Sequence, residues 1–207
     1  MPSSIGIREI FIIGPSSTGK TTLCMALANE LELKPECCIT ETARHVMRTH
    51  GFTRDDVGKL EMQSAIMHAQ LENEEKGRAY AQAMDPTHCI LLSDRSAIDA
   101  VVYAVLTSVN QEQSEARKDV LVQSAEFQHS LKHYRHANFV LLRPVPEWLV
   151  DDGVRSLDDQ NVCLQAFREI LWELGIKFVE MGVEVKGLTE RVAFVLAHME
   201  SLHTARL

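Results

Sequence analysis

The densest run of residues able to do chemistry is Gly14-Pro15-Ser16-Ser17-Thr18-Gly19-Lys20-Thr21. Its G-x-x-x-x-G-K-T spacing suits a loop whose backbone N–H groups turn inward around an anion. Gly14 and Gly19 permit dihedrals and close approaches that a Cβ would block. A helix opening at Lys20 adds the positive end of its dipole at the same point. Lys20 is then placed to reach the terminal phosphates of a nucleotide, and the Thr21 hydroxyl to ligate Mg²⁺. Ser16, Ser17, Thr18 and the adjoining Thr22 complete the nucleotide-binding candidates. Such a pattern arises by accident in on the order of 1% of chains this long. Here it also stands between an apolar run and a helical pattern, where the chemistry needs it.

Three further groups follow other apolar runs. In Thr40-Glu41-Thr42-Ala43-Arg44, Glu41 is a candidate base for an acceptor hydroxyl and Arg44 a candidate substrate contact. The alternative for Glu41 is a carboxylate complementing a helix start capped by Thr40 or Thr42. In Ser93-Asp94-Arg95-Ser96, Asp94 would hold the metal or act as base, and Arg95 would steady a phosphate or the acceptor. The alternative is a helix cap, and Asp99, three residues after Ser96, is accounted for by a capping box. Residues 143–158 read as a lid closing over a triphosphate, with Arg143 binding the nucleotide and Arg155 acting in catalysis. Arginine suits that role because its charge is permanent and its fork matches phosphate oxygens. Neutralising the transferred group is most of the catalytic work in such reactions.

Two weaker groups remain. Gln63 and Gln70 share a helical face with Met67 and are candidates for the wall of an acceptor pocket, Gln63 as a substrate contact. His129, His133 and His136 also share a face, but no carboxylate or thiol accompanies them, so a solvated face is preferred to a metal pair.

The elements that must position these residues alternate in type. Strands are expected at 9–13, 37–40, 89–92, 138–142 and 176–180. Helices are expected at about 20–31, 43–49, 53–83, 97–107, 112–134, 159–174 and 189–199, with Thr53 and Asp56 forming a capping box and Gly175 a helix stop. Five buried strands separated by helices predict a parallel sheet covered on both faces, with the site beyond the strands' carboxyl ends. The 207 residues are read as one domain.

Composition narrows the partners. The formal charge is −8 with no long basic block, which opposes a nucleic-acid partner. Five cysteines without repeating spacing oppose a disulfide framework or a zinc site. No apolar run approaches the ~20 residues of a membrane span, and no leader pattern opens the chain, so a reduced cytoplasmic setting is expected.

Together, GPSSTGKT, the E-x-x-R-x-V of Glu41, Arg44 and Val46, the acidic third strand end and EWLVDDGVRSL (147–157) resemble the ribosylnicotinamide kinase domain of NadR-type bacterial regulators. They also resemble the related Ttd14-like P-loop proteins of eukaryotes, and Asp94-Arg95-Ser96 looks like the Glu-Arg-Ser of deoxynucleoside kinases. The resemblance covers nearly the whole chain; within it the DNA-binding and adenylyltransferase domains of the bacterial members are not found. It implies an α/β P-loop kinase fold with a central five-stranded parallel sheet, Mg-ATP as donor and a riboside such as nicotinamide riboside as the small-molecule acceptor. The Ttd14-like relatives imply the rival reading, a regulatory GTP- or ATP-binding module that recruits a protein or lipid.

Overall fold

A computed structural model describes residues 7–84, 89–148 and 157–204. Strands β1 (Arg8–Ile13), β2 (Cys38–Ile39), β3 (Ile90–Asp94), β4 (Asn138–Leu142) and β5 (Phe178–Met181) form one all-parallel sheet in the order β2-β3-β1-β4-β5. Parallel pairing requires long crossovers, and helices supply them. They are α1 (Lys20–Glu30), α2 (Thr42–His50), α3 (Leu60–Met84), α4 (Ala97–Leu106), α5 (Gln111–Val122), α6 (Ala125–Tyr134), α7 (Leu157–Glu173) and α8 (Leu188–Thr204). No described helix is long and apolar enough to cross a membrane.

Alternation along the central strands divides the core in two. Phe11 and Ile13 of β1 join Phe139 and Leu141 of β4 in a layer with residues of α3, α4, α6 and α7. Ile10 and Ile12 join Val140 and Leu142 in the opposite layer, against α1 and α8. Burial on both faces is why these strands are written as unbroken apolar runs. Phe11 and Phe139 stack at 4.7 Å, and Tyr134 of α6 meets both edge-on.

Several boundaries differ from expectation for local reasons. The Thr53–Asp56 capping box closes a single 3₁₀ turn, Arg54–Asp56, with the Thr53 N–H donating to Asp56 Oδ2 at 2.7 Å; the long helix starts only at Leu60. The helix expected at 112–134 is two helices, because Ser124 caps a new one by accepting from the Phe127 N–H. β2 is only two residues long, β5 begins at Phe178 rather than residue 176, and α8 begins one residue before Thr189. Gly175, at φ 67°, does end α7. Of the three histidines, His133 turns toward the sheet, its Nδ1 3.3 Å from Glu9 Oε1.

Beneath α3 lies a buried polar cluster. Arg78 donates through Nε to Glu9 Oε2 at 2.9 Å and through Nη2 to Glu74 Oε2 at 3.1 Å. Tyr134 donates to Glu74 at 2.8 Å, and Gln70 Nε2 donates to Glu74 Oε1 at 3.1 Å and to Ser93 Oγ at 3.0 Å. Glu74 is fully buried, and desolvation pushes its pKa up to about 7 against the pull of Arg78. Removing Arg78 takes the guanidinium from two buried carboxylates at once. Arg78→Ala is expected to cost about 3–5 kcal/mol of unfolding free energy, measured in urea at pH 7.5; a loss below about 1 kcal/mol would show that the cluster is not electrostatically closed.

Candidate functional site

The chain leaves β1 at Gly14 with φ 133°, where a Cβ would stand 2.6 Å from the Leu142 carbonyl oxygen. No side chain fits there. Ser17 (φ 57°) and Gly19 (φ 77°) continue the loop in left-handed conformations until α1 opens at Lys20. The Thr18 hydroxyl turns back to Pro15 O at 3.0 Å, so Thr18 braces the loop from within. Lys20 Nζ donates to Gly14 O at 2.9 Å, to Pro15 O and to Thr18 Oγ1. Burial, then the neighbouring Arg95 guanidinium, bring its pKa down to about 7, against the opposing pull of Asp99 and Asp94.

β3 runs beside β1 with Asp94 in register with Ile12, which brings its carboxylate to the loop. The Thr21 hydroxyl donates to Asp94 Oδ2 at 2.5 Å. Asp94 is 7% exposed, and its Oδ1 has no hydrogen-bond partner among the described residues. A buried, orphaned carboxylate oxygen beside a threonine hydroxyl is a donor set that fits a hard cation such as Mg²⁺. Thr22, one residue on, is exposed.

Glu41 and Arg95 stand at the neighbouring strand ends, and both take positive φ, 60° and 83°. Glu41 occupies the N-cap position of α2 but makes no side-chain cap; both its oxygens accept from Arg44 Nη1, at 2.6 and 2.7 Å. Its side chain makes no hydrogen bond to the helix start. Arg95 Nη1 donates to Asp99 Oδ1 at 2.8 Å, while Asp99 Oδ2 accepts from the Ser96 N–H and closes the capping box of α4. Asp99 thus caps and also aims the arginine.

These groups surround one cavity of about 280 Å³. Ser16, Thr21, Glu41, Arg44, Asp94 and Arg95 give it polar lining, and Met47, Val57, Met62 and Ile66 apolar lining. Gln63 and Gln70 are on the wall, Gln63 with its Nε2 given to Val57 O at 2.8 Å. Met67 is not: it is 1% exposed and belongs to the core. Arg143 has an exposed side chain and gives its backbone N–H to Met181 O; it does not line this cavity. Arg155, with residues 149–156 of the expected lid, lies outside the described residues.

One residue at the loop carries no motif. Arg191 of α8 is 4% exposed, donates to Thr18 O at 2.9 Å, and lies over the Trp148 ring at 5.0 Å. A Cβ on Gly19 would come within 2.6 Å of its Nη1. No carboxylate pairs with it among the described residues, and desolvation lowers its pKa. Its place among Val192, Val195 and Met199 marks burial but not a role.

A family model described as an AAA domain matches residues 9–188. The chain belongs to this AAA domain family. No curated protein matches it in sequence. Among solved structures, a NadR protein in complex with NR superposes on the AAA domain with a TM-score of 0.67 at 21% identity, over 94% of this chain and 50% of that one. Deoxyadenosine kinase from M. mycoides with bound dCTP gives 0.62 at 12% identity, over 93% and 99%. Thymidylate kinase from Candida albicans gives 0.56 at 15%, over 95% and 92%. The chain spans about half the length of the NadR structures it matches. The fold of this AAA domain is that of the P-loop kinases.

The left-handed backbone at Glu41 is testable without any substrate. A non-glycine residue there costs about 1–2 kcal/mol. Glu41→Gly is expected to be more stable than Glu41→Ala by about 1 kcal/mol in chemical denaturation. Equal stability of the two variants would show that the turn is not strained.

Proposed function

We propose that the protein is a small-molecule kinase that transfers the γ-phosphoryl of ATP or GTP to a hydroxyl acceptor, in the first instance the 5′-hydroxyl of a riboside such as nicotinamide riboside. The observation that carries this reading is the convergence of Asp94 with Thr21, of Glu41 with Arg44, and of Arg95 on one cavity that opens against Ser16 of the phosphate loop. A nucleotide switch needs the loop and the metal ligands but has no use for a second carboxylate on the wall of an acceptor-sized cavity.

The roles divide by position. The loop N–H groups and Lys20 bind the phosphates and hold the γ-phosphoryl facing the cavity. Thr21 and Asp94 would hold Mg²⁺, which when bound neutralises phosphate charge. Glu41 takes the proton of the acceptor hydroxyl, since a protonated primary alcohol is a poor nucleophile. Arg44 fixes both carboxylate oxygens of Glu41, and Arg95, held by Asp99, steadies the acceptor or the transferred group. Arg155 is retained as the catalytic arginine and Arg143 as a nucleotide contact on the sequence reading alone. NadR in complex with NR and deoxyadenosine kinase share the fold, which supports riboside acceptors as the class to try.

Incubation with Mg-ATP or Mg-GTP and a riboside panel is expected to yield 5′-monophosphates by mass spectrometry. Glu41→Gln is expected to lower kcat by 10²-fold or more, the upper range of a general-base contribution being about 10⁴, with donor affinity kept, and Asp94→Asn to raise the Mg²⁺ requirement. Tight nucleotide binding with no riboside phosphorylated would favour the regulatory GTP- or ATP-binding reading instead.

Donor binding should also depend on pH. Lys20, with its pKa lowered to about 7, is largely neutral in the free protein above that pH, and a bound triphosphate favours its charged form. The complex then holds more protons than the free protein, so affinity falls as pH rises, by up to about tenfold per unit above pH 7. Calorimetry in buffers of differing ionisation enthalpy should report proton uptake at pH 8; flat affinity from pH 6 to 9 would show that Lys20 is charged throughout.

A further inference from the structure

Beside the acceptor cavity is a second compartment of about 310 Å³, between α4 and α7, that shares Ser16, Val57 and Tyr103 with the first. Leu106, Val162 and Cys163 give it apolar walls, and Gln160 lines it from the first turns of α7. Gln160 is 4% exposed, yet neither its Oε1 nor its Nε2 has a partner among the described residues. A buried carboxamide left unpaired carries an uncompensated desolvation cost, and such groups in native structures are few. The glutamines of α3 are in a different state. Gln63 has given its Nε2 to Val57 O, and Gln70 has given its own to Glu74 and Ser93. Gln160 alone of the three keeps both its donor and its acceptor for something else.

We propose that Gln160 recognises the acceptor, pairing with a neutral branch that both donates and accepts hydrogen bonds while the hydroxyl to be phosphorylated lies near Ser16. The inference rests on the kinase reading above and names the chemistry of its acceptor. Two observations define that chemistry. The wall shared at Ser16, Val57 and Tyr103 sets the compartment directly against the acceptor cavity. Its remaining lining is apolar apart from Thr107, Gln160 itself and Asp159, which is exposed. The Cys163 thiol is held protonated, burial pushing its pKa up to about 12. An anion would meet no counter-charge among these lining residues, whereas a carboxamide or a vicinal hydroxyl pair matches the glutamine amide donor for acceptor. A riboside offers the hydroxyl pair from its sugar, and some ribosides offer an amide from the base.

The test is binding measured apart from turnover. Nicotinamide riboside and cytidine, each with its 2′-deoxy counterpart, are titrated by calorimetry into wild type and Gln160→Leu in the presence of AMP-PNP, and urea unfolding is measured for both proteins. Gln160→Leu is expected to be as stable as wild type or more so, since it removes an unpaired buried amide. It is expected to weaken riboside binding roughly tenfold, the loss of one to two hydrogen bonds. If the effect disappears with the 2′-deoxy counterparts, the partner is the hydroxyl pair; if it persists, the partner is the base amide. Wild-type riboside affinity in Gln160→Leu, or marked destabilisation of that variant, overturns the proposal and leaves the kinase reading standing. Absence of riboside binding and phosphorylation in the wild type overturns both.

Discussion

Everything in the site is dated from one close approach, the passage of Gly14 beneath the Leu142 carbonyl. β1 is hydrogen-bonded on one side to β3 and on the other to β4, so its end emerges at the middle of the sheet with neighbours on both flanks. The chain can leave that crowded position only where it carries no Cβ and accepts a positive φ. The turn then decides where α1 begins, hence where its dipole points and where Lys20 and Thr21 stand. Asp94 meets Thr21 because β3 is in register with β1 to its last residue. A side chain at Gly14 would displace the loop from Leu142, and the distances that follow from it would go with it.

The second constraint acts from beneath. Charges buried in an apolar layer are costly, and in return the Glu9–Arg78–Glu74 cluster allows α3 one rotation about its axis. Glu74 holds Gln70, and Gln70 in turn holds Ser93 and lies 3.5 Å from the Arg95 carbonyl. The last residues of β3 are therefore tied to a helix that also walls the cavity. Gly77 lets the two come together: a Cβ there would meet Leu91 of β3 at 2.5 Å. Position 63 and position 70 face the cavity while position 67 sinks into the core.

How much of this was legible in the chain depended on whether a feature is local. The apolar runs of β1, β3 and β4 declare their burial on two faces, and the phosphate loop declares itself because its spacing is set by a single turn. Thr53 and Asp56 misled because a capping box satisfies N–H groups equally well at a 3₁₀ turn and at a helix. The break at Ser124 was hidden in a continuous helical pattern that hydrophobic spacing does not interrupt. Arg191 and Gln160 were invisible for a different reason. Arg191 reaches Thr18 across 173 residues, and Gln160 lines one compartment with Pro15 and Ser16; no spacing records a proximity of that range.

Glu41 and Arg95 show how the strand ends are used. Adjacent parallel strands end at one level, and each must turn into a helix within a few residues; a left-handed residue makes that turn in the least chain. Glycine would hold the conformation at lower cost, yet one position carries a carboxylate and the other a guanidinium, each aimed by a partner three or four residues on, Arg44 and Asp99. Strained backbone that keeps a polar side chain supports the roles proposed for these two residues, although Glu32 beyond α1 shows the same conformation away from the cavity. It also separates two kinds of information. The groups suited to phosphoryl chemistry sit at strand ends, whose positions the sheet dictates. The walls that would tell one acceptor from another, Met47, Met62, Gln63 and Gln160, come from helices, which are free to vary without disturbing the sheet. A fold arranged in this way can keep its strand ends while its helices change; structures only 12–21% identical to this chain superpose over almost all of it.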